Sequence, residues 1–230
     1  MSFPAQGRRD LRTILVVTTR FEGWPDEALD FFEGLEADNS KSYWESQRSV
    51  FEQAVKGPME ALVSELEPEF GVFKIYRPYR DVRFSADKSP YKTHIAAGSG
   101  QGAGGCYIDF SVNGLFSGAG VWQMSKDQLV RYRAAIDGAP GSDLEEISRQ
   151  LDEQGYELKG ETLKRAPKGW APDHPRIKLL RHTSVLVSSH YPPEAWMATA
   201  EAKDRITSVW RIAGPLMVWL DANVGRAAAG

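Results

Sequence analysis

Residues 106–122 read CYIDFSVNGLFSGAGVW, with apolar and polar or small residues alternating on both sides of Asn113-Gly114. A period of two fits a strand and cannot be laid on one helix face, and Asn-Gly is the dipeptide that best closes a two-residue hairpin. The spacing predicts Val112 opposite Leu115, Phe110 opposite Ser117, Ile108 opposite Ala119 and Cys106 opposite Val121, which makes one face largely apolar. On the other face Asp109 would meet Gly118 and Tyr107 would meet Gly120. Glycine within a strand gives up side-chain packing and marks a place where another group approaches, so that face is a candidate pocket floor.

Around this hairpin the pattern is helical at both ends. Leu29, Phe31, Phe32 and Leu35 share a broad face after Pro25. A second helix follows, with Ser42 and Glu45 spaced as a capping box and with Gly57-Pro58 set to kink or split it. VFKIY (72–76) and Lys92–Ala97 read as strands. Helices are expected over Ser125–Ile136 and from Ser142 to Gln154, a short strand at Val185–Ser188, and a long helix opened by Pro193 and broken near Gly214-Pro215. The expected fold class is α+β: an antiparallel sheet in the middle of the chain, covered by N- and C-terminal helices. Residues 1–22 read as a loosely ordered arm, 23–224 as a single domain, and 225–230 as a fraying tail.

Composition narrows the function classes. A chain of 230 residues with 42% hydrophobic content can bury one sizeable core, and its net charge of −3 argues against a general nucleic-acid binder, whose basic surface would dominate. Cys106 is the sole cysteine, which excludes an internal disulfide and a cysteine metal cage and fits a reducing, cytoplasmic setting. No run approaches the length of a membrane span. Gly100, Gly102 and Gly105 match G-x-G-x-x-G, but a strand follows them where a dinucleotide fold needs a helix.

The densest charge lies in RPYRDVRFSADKSPYK, residues 77–92, with three arginines and two lysines against two aspartates. Neighbouring cations about 4 Å apart repel by about 4 kcal/mol at an effective dielectric of 20, so the cluster must pair internally or bind an anion. Arg77, Arg80, Arg83, Lys88 and Lys92 are the candidate ligand-binding cations, with Tyr91 as a candidate stacking residue. Guanidinium forks suit phosphate or carboxylate. The competing reading is an internal network in which Asp81 and Asp87 fasten the loop.

This stretch, extended to Thr93, resembles the signature of the family catalogued as domain of unknown function 2461. Asn39 with Trp44, Gly118 and Gly120 before Trp122, and LKRAPKGW followed by DHP agree with it, over roughly residues 24–222. The resemblance implies an α+β fold found in bacterial and fungal proteins, and it carries no catalytic residue over.

Acid/base candidates are few. Arginines beside Asp81 and Asp87 would hold those carboxyls ionised and make them poor bases. Asp109 and His94 remain as catalytic candidates, with Lys92 on the face of His94 if strand parity holds. The four histidines show no metal spacing, and nothing fixes the distances of Asp81, Asp87 and Asp109 as oxygen ligands, so no metal site is assigned and the cofactor is left open. The leading expectation is a pocket for a phosphorylated or nucleotide-like anionic small molecule, with possible hydrolytic chemistry, built from residues 77–92, His94, Asp109 and the basic segment Lys164–Lys168. The alternatives are a noncatalytic module that docks an acidic protein or nucleic acid, and a purely structural ion network.

Overall fold

Strands β1 (Phe73–Ile75), β2 (His94–Ser99), β3 (Gly105–Ser111), β4 (Gly114–Val121) and β5 (Val185–Tyr191) lie side by side in chain order, each antiparallel to the next. The computed structural model describes residues 20–100 and 102–228. Helices α1 (Asp26–Ala37), α2 (Lys41–Val50) and α3 (Gly57–Phe70) precede the sheet. Helices α4 (Lys126–Asp137), α5 (Pro140–Glu153) and α6 (Ile177–Leu180) separate β4 from β5, and α7 (Glu201–Ile212) and α8 (Gly214–Asn223) close the chain. The α+β class and the central antiparallel sheet are as the sequence predicts.

The hairpin forms with a register two residues away from the expected one. Phe110 opposes Leu115 and Ser111 opposes Gly114, so Val112 and Asn113 occupy the turn. A type I′ turn needs positive φ at both central residues. Asn113 has none, and Gly114 takes φ +101° just after the turn. Because the slip is even, every side chain keeps its face. Cys106, Ile108, Phe110, Leu115, Ser117, Ala119 and Val121 are buried on one side, but Asp109 now opposes Phe116, and Tyr107 opposes Gly118.

The buried side of the sheet meets the helices. Trp24 stacks on Phe110 at 4.6 Å, Phe73 stacks on Trp210 of α7 at 5.5 Å, and the Ser117 hydroxyl donates to the Ile206 carbonyl of α7. The other face presents Lys74, Tyr76, His94, Tyr107, Asp109, Phe116, Ser188 and His190, as strand parity requires.

Several local boundaries differ from expectation. Ser40, not Ser42, caps α2: its backbone is extended and its hydroxyl accepts from the Tyr43 N–H at 3.1 Å. The break at Gly57-Pro58 takes the form of a π-helical turn, Phe51–Lys56, with the Gly57 N–H bonded to the Glu52 carbonyl. Pro58 has no N–H to continue an α ladder there. The helix expected from Pro193 begins only at Glu201, after a 3₁₀ turn over Ala195–Ala198, whereas the break at Gly214 stands.

The domain reaches further at both ends than the sequence suggests. Phe21 is 1% exposed, packs edge-on to Trp24 at 5.2 Å, and its N–H donates to Glu65 at 2.8 Å. Phe21 therefore belongs to the core and not to an arm; residues 1–19 lie outside the described residues. At the other end the Gly225 carbonyl accepts from Gln128 at 2.9 Å, and the Ala228 N–H donates to Asp127 at 2.9 Å. Gly225, Arg226 and Ala228 are thus hydrogen-bonded to α4.

A candidate ligand cleft on the open sheet face

The cationic stretch is the β1–β2 connection, folded back on itself as a short arm. Tyr79 and Tyr91 form a bridge, the Arg80 N–H donates to the Pro90 carbonyl at 2.9 Å, and the Lys92 N–H donates to the Pro78 carbonyl at 2.7 Å. Two α-helical-layer residues hold this arm. Tyr91 stacks on Trp44 of α2 at 4.4 Å and 6°, and Asn39 exchanges two hydrogen bonds with the Tyr91 backbone. Tyr91, expected at a ligand, is buried at 6% exposure and serves to dock the arm.

The arm spends much of its charge internally. Arg83 clamps Asp81 through Nε at 2.9 Å and Nη2 at 2.7 Å. Arg80 pairs with Asp87, and Lys88 donates to the Val82 carbonyl at 2.9 Å. Asp87 also accepts from the Ser89 N–H, and Ser89 followed by Arg80 brings its carboxyl down to about 2. Asp81 is lowered chiefly by Arg83. For Arg80, Arg83 and Lys88 the internal network is what the geometry displays, all of it at the surface.

Lys92 and His94 point to the open face. The Lys92 ammonium sits 5.7 Å from the centre of the Tyr76 ring, a cation–π distance. Its pKa is lowered by burial and then by Arg77. His94 is also lowered, first by burial and then by Lys92 and Arg80, so those three groups are neighbours. His94 opposes Ser111, and Asp109 opposes Ala96 two residue pairs further along the same two strands. The parity expected for Lys92, His94 and Asp109 therefore holds.

Asp109 sits at the floor of a cleft of about 530 Å³ walled by Tyr76, Tyr107, Phe116 and Trp122. Tyr107 meets Trp122 at 5.4 Å and Phe116 at 6.1 Å, both edge to face. Phe116 and Trp122 are 5.6 Å apart. Aromatic walls take water away from the carboxyl, and this burial raises its pKa to about 6, with His190 and the Tyr107 hydroxyl opposing the rise. Tyr107 is raised in turn, by burial and then by Asp109. A carboxyl that titrates near neutrality inside an aromatic cleft is the combination that marks candidate sites.

The basic segment Lys164–Lys168 is not among the groups that set the titration of Asp109 or His94. Its surroundings are fastened elsewhere: the Leu163 N–H bonds the Arg181 carbonyl, and His174 bonds Asp137 of α4 at 3.1 Å. Phe116, Trp122 and His190 were missing from the sequence-derived set. Alternation alone could have supplied Phe116, which shares the face of Asp109. Trp122 lies past the end of β4, and the facing of His190 depends on which strand pairs with β4. No cluster of three or more metal-ligating side chains occurs among the described residues.

These features define an α+β protein whose five-stranded meander is backed by helices on one face and carries a candidate cleft on the other. Over residues 27–219 the chain matches the family described as "Conserved hypothetical protein (DUF2461)", and it belongs to that family. No curated protein and no solved structure matches it.

Proposed function

We propose that the open-face cleft binds a small anionic molecule with a flat ring, of the phosphorylated or nucleotide-like kind. The observation that carries this reading is Asp109 set among Tyr76, Tyr107, Phe116 and Trp122, with Lys92 over the rim ring. A ring would lie between the aromatic walls, its polar edge would meet Asp109, and its acidic group would meet Lys92 and His94. The volume falls in the range of small-molecule sites. Asp109 can take or give a proton near neutral pH, which is the role a hydrolytic step would assign it. Cys106 is buried on the core side, with its thiol pushed up to about 11 by burial. An unreactive thiol, the sole cysteine of the chain, supports a cytoplasmic protein. No helix of the described residues is long and apolar enough to cross a membrane.

For Arg80, Arg83 and Lys88 the structural reading is favoured by their existing partners in the arm. Calorimetric titration with adenosine monophosphate separates the roles. Saturable binding is expected, weakened about tenfold or more in Lys92→Ala and unchanged in Arg83→Ala. Absence of saturable heat at millimolar nucleotide, or equal affinity in Lys92→Ala, sinks the proposal.

A further inference from the structure

A second cleft, of about 420 Å³, lies on the other side of Tyr76, between the π-helical turn and the root of the arm. Trp44, Phe51, Tyr76 and Tyr79 supply its apolar walls. Two arginines reach it from separate elements: Arg48, one helical turn after Trp44 on α2, and Arg77, at the first position of the arm. Neither side chain has a hydrogen bond or an ion pair among the described residues. The carboxylates that also line the cleft are already engaged, since Lys56 pairs with Glu52 at 3.0 Å and with Glu60 at 3.2 Å. Asp81, whose titration Arg77 influences, is held by the fork of Arg83. Three cations therefore face two carboxylates, a net excess of one positive charge, and Arg48 and Arg77 are the two cations whose side chains have no partner among the described residues.

The backbone at this place is also unusual. The π-helical turn Phe51–Lys56 contributes Phe51, Glu52 and Lys56 to the cleft wall, and π-turns inside α-helices occur frequently at functional sites because they re-aim side chains. Pro58 explains why a regular ladder cannot run through. The meeting of two guanidinium groups that lack side-chain partners with four aromatic rings around one concavity does not follow from it.

We propose that this cleft is a second anion site, distinct from the Asp109 cleft, for an aryl phosphate: a phosphate gripped by Arg48 and Arg77, its ring against Trp44 and Tyr79. Guanidinium forks match phosphate oxygens in pairs and tolerate aromatic neighbours, where an ammonium would only supply charge. The shared wall Tyr76 puts the two clefts back to back, so occupancy of each must be read locally.

Phenyl phosphate, titrated and followed by site-resolved NMR, provides that reading. Shifts are expected at the Trp44 indole and at the Arg48 and Arg77 side-chain N–H signals. Loss of one charged fork is expected to weaken this binding about tenfold to a hundredfold in Arg48→Ala. Arg48→Lys should recover only part of it, and Lys92→Ala should leave it intact. Arg48 is exposed on a helix surface, so its substitution keeps the fold. The proposal is overturned if phenyl phosphate perturbs neither arginine, if the shifts are confined to Tyr107 and Trp122, or if Arg48→Ala binds as tightly as the wild type.

Discussion

Asn39 and Tyr91, 52 residues apart in the chain, exchange two hydrogen bonds: the Asn39 amide donates to the Tyr91 carbonyl at 3.1 Å, and its oxygen accepts the Tyr91 N–H at 3.0 Å. A side-chain amide thus does for the returning strand of the arm what a neighbouring backbone would do. It is the polar half of the joint whose apolar half is Tyr91 stacked on Trp44. The position of the whole cationic arm relative to both clefts depends on this joint.

Asn39→Ala leaves a part-buried N–H and carbonyl without partners, at an expected cost of about 1–3 kcal/mol. Chemical denaturation should show that loss. Asn39→Asp keeps the acceptor but not the donor, so it should fall between the alanine variant and the wild type. Equal stability of all three proteins would mean that the joint is idle.

Asp109 makes stability depend on pH in a definite direction. Its folded pKa, about 6, lies above the ordinary carboxylate value, so the folded chain holds the proton more tightly than the unfolded chain. The contribution is favourable and complete below about pH 4, and it is lost as pH rises through 6. Asp109→Asn removes the titration. Its melting temperature should match the wild type near pH 3 and exceed it near pH 7.5. With each pKa unit equal to about 1.4 kcal/mol and a discount for partial exposure, the gap is about 1–2 kcal/mol. A gap that shrinks as pH rises contradicts the assignment. A stabilising loss of a polar group is the pattern of a residue kept for function.

Gly98 offers a way to reshape the open-face cleft without touching its polar groups. A Cβ added there would stand 2.8 Å from the Tyr76 hydroxyl and 3.4 Å from the Cys106 carbonyl. The hydroxyl is the far end of a side chain that is 39% exposed, so the ring can swing aside while the strand stays. Gly98→Ala should melt close to the wild type and bind adenosine monophosphate several-fold more weakly, because the Tyr76 wall and its contact with Lys92 shift together. Full affinity in a folded Gly98→Ala protein would remove Tyr76 from the site.

The sequence by itself determined the kinds of element and which face each strand residue takes. Alternation through Cys106–Val121 set the buried side of β3 and β4, and even a two-residue slip could not change it, because strand parity has a period of two. The same logic put Lys92, His94 and Asp109 on one face. Tertiary structure decided what parity cannot express. Gly114 took the left-handed position, which moved the turn and brought Phe116 opposite Asp109. Phe21 found a core between α3 and the sheet that no local pattern announces. Within the arm, pairing of Arg80 with Asp87 depends on a reversal of the chain that brings charges seven residues apart within bonding reach, whereas Arg83 reaches Asp81 only two residues away. The aromatic walls of the clefts likewise come from β1, β3, β4 and α2, segments far apart in sequence. Local sequence fixes backbone preference and side-chain facing over a few residues. Which distant faces are pressed together depends on the burial of the whole apolar surface, and the charge on Asp109 follows from that burial.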